Sequence, residues 1–291
     1  MECLGEVERT RPAWRAGHLF HSACYGTSLQ LRNDHYGVEM RRRTALVTGA
    51  SRGIGAAIAV ALARQGVGVV GIHYAADAAA AQAVAREVER HGAAPVVLQA
   101  DFSEGAAAAA SLADAWRKEV QRHGLGGTDV LVSNAGINGA QALDELTGDV
   151  VGRVLTVNLA VPLMLLHHLS PHLSEGARVI GVSSGYARIA APTHVAYSAA
   201  KAGLEAAFTA VAVELGKRSI TVNTVRPGVI DTDINAEWID EPGAREAVAA
   251  ESALGRVGQP RDVADIVAFL AGESSRWITG QSLDATGGVR L

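Results

Sequence analysis

Cysteine is almost missing from this chain. The two that occur, Cys3 and Cys24, both precede the first periodic segment, so the expected core contains none. That excludes thiol nucleophiles, cysteine-bound zinc and iron–sulfur clusters from the interior, and it suits a reducing, cytoplasmic setting. A marked excess of either charge is missing as well. The chain carries 26 Lys+Arg against 30 Asp+Glu, with the signs mixed along its length, whereas a nucleic-acid-binding domain usually shows a basic stripe. No uninterrupted apolar run approaches the roughly 18 residues of a membrane span; the longest, at residues 56–63, is short and Ala-rich. A chain of 291 residues, 48% of them hydrophobic, is long enough to bury about 75% of its unfolded surface without disulfides or metal. We therefore expect a soluble protein with neither a nucleic-acid nor a membrane partner.

Residues 1–42 read differently from the rest. Up to about Glu39 the chain mixes Arg, His, Trp and Cys without helical or strand periodicity, and we expect it to be disordered or loosely attached. Glu2, Glu6 and Glu8 fit neither a secretory signal nor a transit peptide. Either Met40 is the true start, which we prefer, or the upstream stretch is a functional arm. From Arg43 to Leu291, short β-branched runs alternate with longer Ala-rich helical segments. Strands are expected at residues 44–48, 67–73, 95–100, 129–133, 178–183, 220–225 and 282–285. Helices are expected at 54–65, 78–91, 104–123, 148–173, 193–217 and 261–270. Strict alternation with nearly all-apolar strands describes a single doubly wound Rossmann-type α/β domain, a seven-stranded parallel sheet with helices on both faces.

Directly after the first expected strand comes Thr48-Gly49-Ala50-Ser51-Arg52-Gly53-Ile54-Gly55, opening a helix. Such glycines let the backbone bend tightly and approach a pyrophosphate at the helix N-terminus. The spacing is Gly-x3-Gly-x-Gly, not the usual dinucleotide pattern, and a turn made only for packing would read the same way. The second signal is Tyr197-Ser198-Ala199-Ala200-Lys201. Residues four apart share a helix face, and a nearby cation is expected to lower the phenol's pKa toward the working range of a general acid/base. Ser184 precedes Tyr197 at the end of the fifth expected strand, on the carboxyl edge where a parallel sheet meets its ligand.

Together these segments resemble the short-chain dehydrogenase/reductase family, in its form of about 250 residues. The resemblance covers residues 43–291 and includes Asn134-Ala135-Gly136, Asn158, and Pro227-Gly228 followed by Thr232. It implies that Tyr197 gives a proton to a carbonyl oxygen or takes it back in oxidation. Lys201 would bind the nicotinamide ribose and depress the Tyr197 pKa, Ser184 would hydrogen-bond the substrate oxygen, and Asn158 would hold a relay water. The cofactor surface would comprise Gly49, Ser51, Arg52, Gly53, Ile54 and Gly55, then Tyr74, Asp101 and Phe102, then Asn134, Ala135 and Gly136. Pro227, Gly228, Ile230 and Thr232 would receive the carboxamide. Two positions depart from the family pattern: Ser133 replaces an Asn, and Ala187 replaces a glycine three residues after Ser184.

NADP(H) is expected over NAD(H). No acid ends the second strand to hold a ribose 2′-hydroxyl, Asp77 reads as a helix N-cap, and Arg52 can reach a 2′-phosphate. Residues 231–252 are expected to form a substrate lid, with Trp238 and Ile239 over the substrate and Tyr186 and His194 beside it. The lid acids would suit a cationic substrate, or simply face water. His167, His168 and His172 do not make a metal site, because Pro171 interrupts their spacing and no acid completes the set. We expect an NADPH-dependent ketoreductase of small or secondary-metabolite carbonyl compounds. The alternatives are a 3-oxoacyl-thioester reductase serving acyl carrier protein, for which Arg218 is the one basic residue suitably placed, an imine reductase or oxidative dehydrogenase, and an idle NADP sensor. The Ala-rich helices around Asn158 and Tyr197 suit a homo-oligomer, a dimer or tetramer.

Overall fold

The computed structural model describes residues 42–290. The readings of an unstructured extension and of a start at Met40 lie outside the described residues. The strands are β1 (Thr44–Val47), β2 (Val69–Tyr74), β3 (Ala94–Gln99), β4 (Thr128–Ser133), β5 (Leu173–Val182), β6 (Thr221–Pro227) and β7 (Ser282–Ala285). They form one sheet in the order β3-β2-β1-β4-β5-β6-β7, every pairing parallel. The helices between them are α1 (Gly53–Arg64), α2 (Ala78–Arg90), α3 (Ala106–Arg122), α4 (Gly148–Leu155), α5 (Val161–Leu169), α6 (Val195–Leu215), α7 (Ala236–Ile239), α8 (Ala244–Glu251) and α9 (Pro260–Ala271).

Both faces of the sheet are covered, which is why the central strands β1 and β2 are buried and largely apolar. Alternate side chains of one strand enter opposite layers. Leu46 packs with Trp116, Leu131 and Phe208 under α3, α5 and α6, whereas Ala45 and Val47 pack with Ile58, Leu62 and Val267 under α1 and α9. Trp116 buries its ring completely and donates its indole N–H to Thr128 Oγ1 at 2.9 Å.

The expected helix at 148–173 is not continuous. It runs as α4, a π-helical turn at Thr156–Ala160, and α5. Pro162 brings no N–H to the Asn158 carbonyl one turn back, and there the ladder widens to the π register. Pro171 then ends the helix in a short 3-10 turn, and β5 begins at Leu173, five residues earlier than expected at 178. Ser174, Glu175 and Gly176 read as loop in sequence, and the strand accommodates them with a register slip against β4 between Thr128 and Val130. Within Gly148–His172 an 18-residue window has mean hydropathy 1.7, so the stretch is long and apolar enough to cross a membrane by length and composition, although no uninterrupted apolar run of that length occurs in it. Val154, Val157, Val161, Leu165 and Leu169 are buried in the protein, so it is a core helix.

β1 is flanked by β2 on one side and β4 on the other, so the strand order reverses at its carboxyl end, where doubly wound sheets open a crevice. Two side chains organise that end. Thr48 Oγ1 accepts from the N–H groups of Asn134 and Ala135, and Asn134 Nδ2 donates to the carbonyls of Thr48 and Gly49. From the other side the buried His73 holds the same turn. Its Nδ1 accepts from the Gly49 N–H at 3.1 Å, its Nε2 lies 3.0 Å from the Ala100 carbonyl, and its ring stacks on Phe102 with centroids 4.3 Å apart.

These contacts require a neutral imidazole, and burial lowers the His73 pKa from 6.5 to about 4. The folded state therefore binds fewer protons than the unfolded chain between those values, so the contribution is complete above pH 6.5 and is lost as pH falls toward about 4. We expect about 3 kcal/mol of stability to disappear across that window. Urea unfolding of the wild type and His73→Gln at several pH values checks this: the variant should lose the His73 component of the slope, and identical slopes would refute it.

Candidate active site

One cleft of about 1100 Å³ opens at the carboxyl edge of β1, β4, β5 and β6. Every residue named above for the cofactor or for the substrate lines it, with the exception of Ile239. Of the four expected catalytic positions, Ser184, Tyr197 and Lys201 line it too, and Asn158 lies behind it, fully buried.

The glycine turn has room for a close ligand and for nothing else. Gly49 has φ +61°, and a Cβ there would sit 2.8 Å from the Ala135 Cα; a Cβ on Gly55 would lie 2.2 Å from the Gly49 carbonyl oxygen. The glycines thus let the turn pack tightly against Ala135 and Asn134, and Gly49, Gly53 and Gly55 line the cleft at the start of α1. Arg52 caps that helix through its backbone only and makes no side-chain capping bond. This backbone-lined cradle at a helix N-terminus fits the pyrophosphate of a dinucleotide.

Ser184 follows β5 by two residues and caps a short 3-10 turn, Gly185–Ala187, by accepting from the Tyr186 N–H. No left-handed residue is needed within that turn, so Ala187 fits where the family pattern has glycine. Tyr197 and Lys201 lie one turn apart on α6, with the Lys201 Nζ 5.7 Å from the phenol ring centre. Lys201 is buried and donates to the Val182 carbonyl at 2.8 Å. Burial dominates the electrostatics of the pair. It pushes the Tyr197 phenol up to about 12, only partly opposed by the Ser184 hydroxyl, and it lowers Lys201 to about 8. The expected depression of the tyrosine pKa by its lysine is therefore corrected. The cost of burying a phenolate exceeds the help from its neighbours, and the phenol is protonated at neutral pH.

Asn158 sits in the π turn. Its Oδ1 accepts from the Ile137 N–H, and its Nδ2 donates to the carbonyls of Ile137 and Val154. Both amide hydrogens are thereby committed to backbone. Gly136 separates Asn158 from Lys201: a Cβ there would lie 2.6 Å from Asn158 Oδ1 and 3.5 Å from Lys201 Nζ. Ser133, where the family pattern has Asn, has a buried hydroxyl without a hydrogen-bond partner.

At the end of the cleft expected to take the adenosine, Asp101 is exposed and caps a 3-10 turn through the Ser103 N–H, while Phe102 is largely buried against His73. Asp77 caps α2 through the Ala80 N–H. Arg52 is exposed and lies 3.5 Å from Asp233 of the lid. The lid itself is two short helices, α7 and α8. Trp238 lines the cleft, but Ile239 turns into the core at 1% exposure, a correction to its expected place over the substrate. An amphipathic turn had to send one of two adjacent apolar residues inward. The three aspartates of the lid are matched by arginine: Arg245 pairs with Asp231 and Asp240, and Arg52 with Asp233. Tyr186, His194 and Tyr197 form an aromatic group with ring centres 4.9 to 6.5 Å apart. Sequence reasoning missed His73, which carries no local motif, and placed Thr48 in the glycine turn without its bonds across the sheet to Asn134 and Ala135.

A family model described as enoyl-(acyl carrier protein) reductase matches residues 49–290. The short-chain dehydrogenase/reductase FrzI of a Cladobotryum species is 40% identical over 255 residues, 85% of this chain and 95% of that protein. Versicolorin reductase 1 of Aspergillus parasiticus is 37% identical over 258 residues, 85% and 96% of the two chains. Among solved structures, the angucycline C-6 ketoreductase LanV with bound NADP superposes with a TM-score of 0.80 at 38% identity, covering 84% of this chain and 95% of its own. With this fold, this cleft and these relatives, the chain belongs to the short-chain dehydrogenase/reductase family and is an NAD(P)-dependent oxidoreductase.

Proposed function

We propose that this protein is an NADPH-dependent ketoreductase acting on ring-bearing secondary-metabolite ketones, with Tyr197 as proton donor. The observation that carries the reading is the half-buried Tyr197 in one cleft with Ser184, Lys201 and the glycine turn at the N-terminus of α1. Bound NADPH would supply the hydride. Ser184 donates a hydrogen bond to the substrate oxygen and aligns it with the phenol. Tyr197 gives its proton to that oxygen as it gains negative charge, so the Oη–H bond breaks and the alcohol O–H forms. Lys201, charged below its pKa of about 8, stabilises the tyrosinate left behind and helps return a proton to it. Asn158 fixes Ile137 and the π turn that back the lysine.

The substrate class follows from the aromatic group at the catalytic phenol and Trp238 on the lid, which suit a flat, fused-ring ketone. The names of versicolorin reductase and the angucycline ketoreductase point the same way. A carrier-protein substrate is less well supported. Arg218, the basic residue expected to meet such a partner, is occupied by the carbonyls of Ser170 and Leu173 and by Glu175.

Consumption of NADPH with 1-tetralone and 2-tetralone, set beside acetoacetyl-CoA and crotonoyl-CoA, tests the substrate class. Turnover confined to the thioesters would overturn it. Tyr197→Phe should lower turnover at least about a thousandfold while leaving NADPH affinity within about twofold, and an active variant would remove Tyr197 from its role. The reduction rate should be level below about pH 8 and fall above it as Lys201 loses its proton, whereas a rate still level near pH 10 would contradict this. Arg52→Ala should raise the KM for NADPH about tenfold and leave that for NADH unchanged. Equal effects on both cofactors would show that Arg52 does not read the 2′-phosphate.

A further inference from the structure

A buried ion pair that takes no part in the mechanism above joins the segments that deliver the catalytic side chains. Glu205 lies one turn beyond Lys201 on α6 and is only 9% exposed. Arg226 of β6 grips it with two bonds, Nε to Oε1 at 2.7 Å and Nη2 to Oε2 at 2.6 Å. Ser183, the residue before Ser184, donates its hydroxyl to Glu205 Oε1 at 2.6 Å. Arg226 also stands opposite Asp284 in the β6–β7 register. Asp284 accepts from the N–H and hydroxyl of Thr286, whose backbone packs against Gly228. One chain of contacts therefore connects α6, the end of β5, and the strand that runs into Pro227 and Gly228.

We propose that Glu205 and Arg226 are positioning residues that set the separation of Ser184 from Tyr197 and Lys201; this rests on the reading of Tyr197 as proton donor. A buried ion pair contributes little net stability, because desolvation cancels most of its attraction. A planar guanidinium bonded at two points to a carboxylate does fix distance and orientation. Here it does so between the helix bearing the phenol and β6, while the Ser183 hydroxyl, bonded to the same carboxylate, ties in the segment bearing the serine. Without this ion pair the helix would be tied to this end of the sheet by apolar packing and by single bonds such as that from Lys201 Nζ to the Val182 carbonyl, and a proton transfer is sensitive to small shifts.

The test compares the wild type, the double variant Glu205→Leu/Arg226→Met, Glu205→Gln and Tyr197→Phe. The double variant removes both charges together and should fold with a Tm near the wild type's, as thermal unfolding would show. Its kcat with NADPH and 2-tetralone should fall about tenfold or more, while the KM for NADPH moves less than about twofold. The tyrosinate absorbance of Tyr197, taken as the difference from Tyr197→Phe, should titrate at higher pH, because the Ser184 hydrogen bond that favours the phenolate is weakened. That titration needs no turnover. A folded double variant with wild-type kcat and an unchanged titration would overturn the proposal, as would a change confined to the KM for NADPH. If the double variant does not fold, Glu205→Gln decides: it keeps an acceptor for Ser183 but loses the ionic grip, and wild-type kcat and titration there would also overturn the proposal. Full activity of Tyr197→Phe would instead refute the proton-donor reading itself.

Discussion

The clamp between Thr48 and Asn134 is the contact on which the rest of the site depends. It ties the carboxyl ends of β1 and β4 together where the strand order reverses. Because Asn134 Nδ2 reaches the carbonyls of Thr48 and Gly49, the glycine turn is pinned at its start, and α1 leaves the sheet at one angle. Gly55 must then be glycine, since a Cβ there would lie 2.5 Å from the same Asn134 nitrogen. The cradle for a phosphate is thus a consequence of strand pairing as much as of the loop's own composition. His73 completes it from β2 at the cost of burying an imidazole that has to stay neutral.

Burial also sets the chemistry. A phenol and an ammonium in a shared low-dielectric volume are both driven toward neutrality. Tyr197 keeps its proton and Lys201 holds its own less firmly. On the proposed reading of Tyr197 as proton donor, this state is useful for reduction, because the donor would be loaded before the substrate oxygen develops charge. The charge then appearing on the phenol would meet a lysine whose affinity for a proton is close to the working pH. On the same reading the Ser184 hydroxyl would help the phenolate as well as the carbonyl oxygen.

Much of this was legible in the sequence, for identifiable reasons. Alternation of apolar strands with Ala-rich helices settles the layer architecture, because each parallel strand must be covered twice. The glycine turn and the Tyr197–Lys201 spacing are local features, and local features survive in a linear reading. What escaped depends on partners distant in the chain. The π turn at Asn158 follows from Pro162, yet nothing in a helical periodicity reports a widened ladder. The start of β5 at Leu173 was hidden by Ser174, Glu175 and Gly176, which only the slip against β4 makes into strand. Ile239 and Trp238 are adjacent and both apolar, and only the lid's packing sends one inward and the other to the cleft. The direction of the Tyr197 shift was misjudged because a motif shows the neighbouring cation but not the depth of burial.

The lid and the phosphate turn are coupled through charge. Asp233 of the lid pairs with Arg52, the residue that would also face a 2′-phosphate. Both side chains are well exposed, so their pairing is weak and easily exchanged. A phosphate dianion placed beside Arg52 would compete directly with Asp233 for its guanidinium and repel the carboxylate, whereas a ribose hydroxyl would do neither. Arg245 holds the lid together through Asp231 and Asp240 whatever Asp233 does. Arg52 thus stands where the glycine turn and residues 231–252 meet, with Asp233 as its present partner.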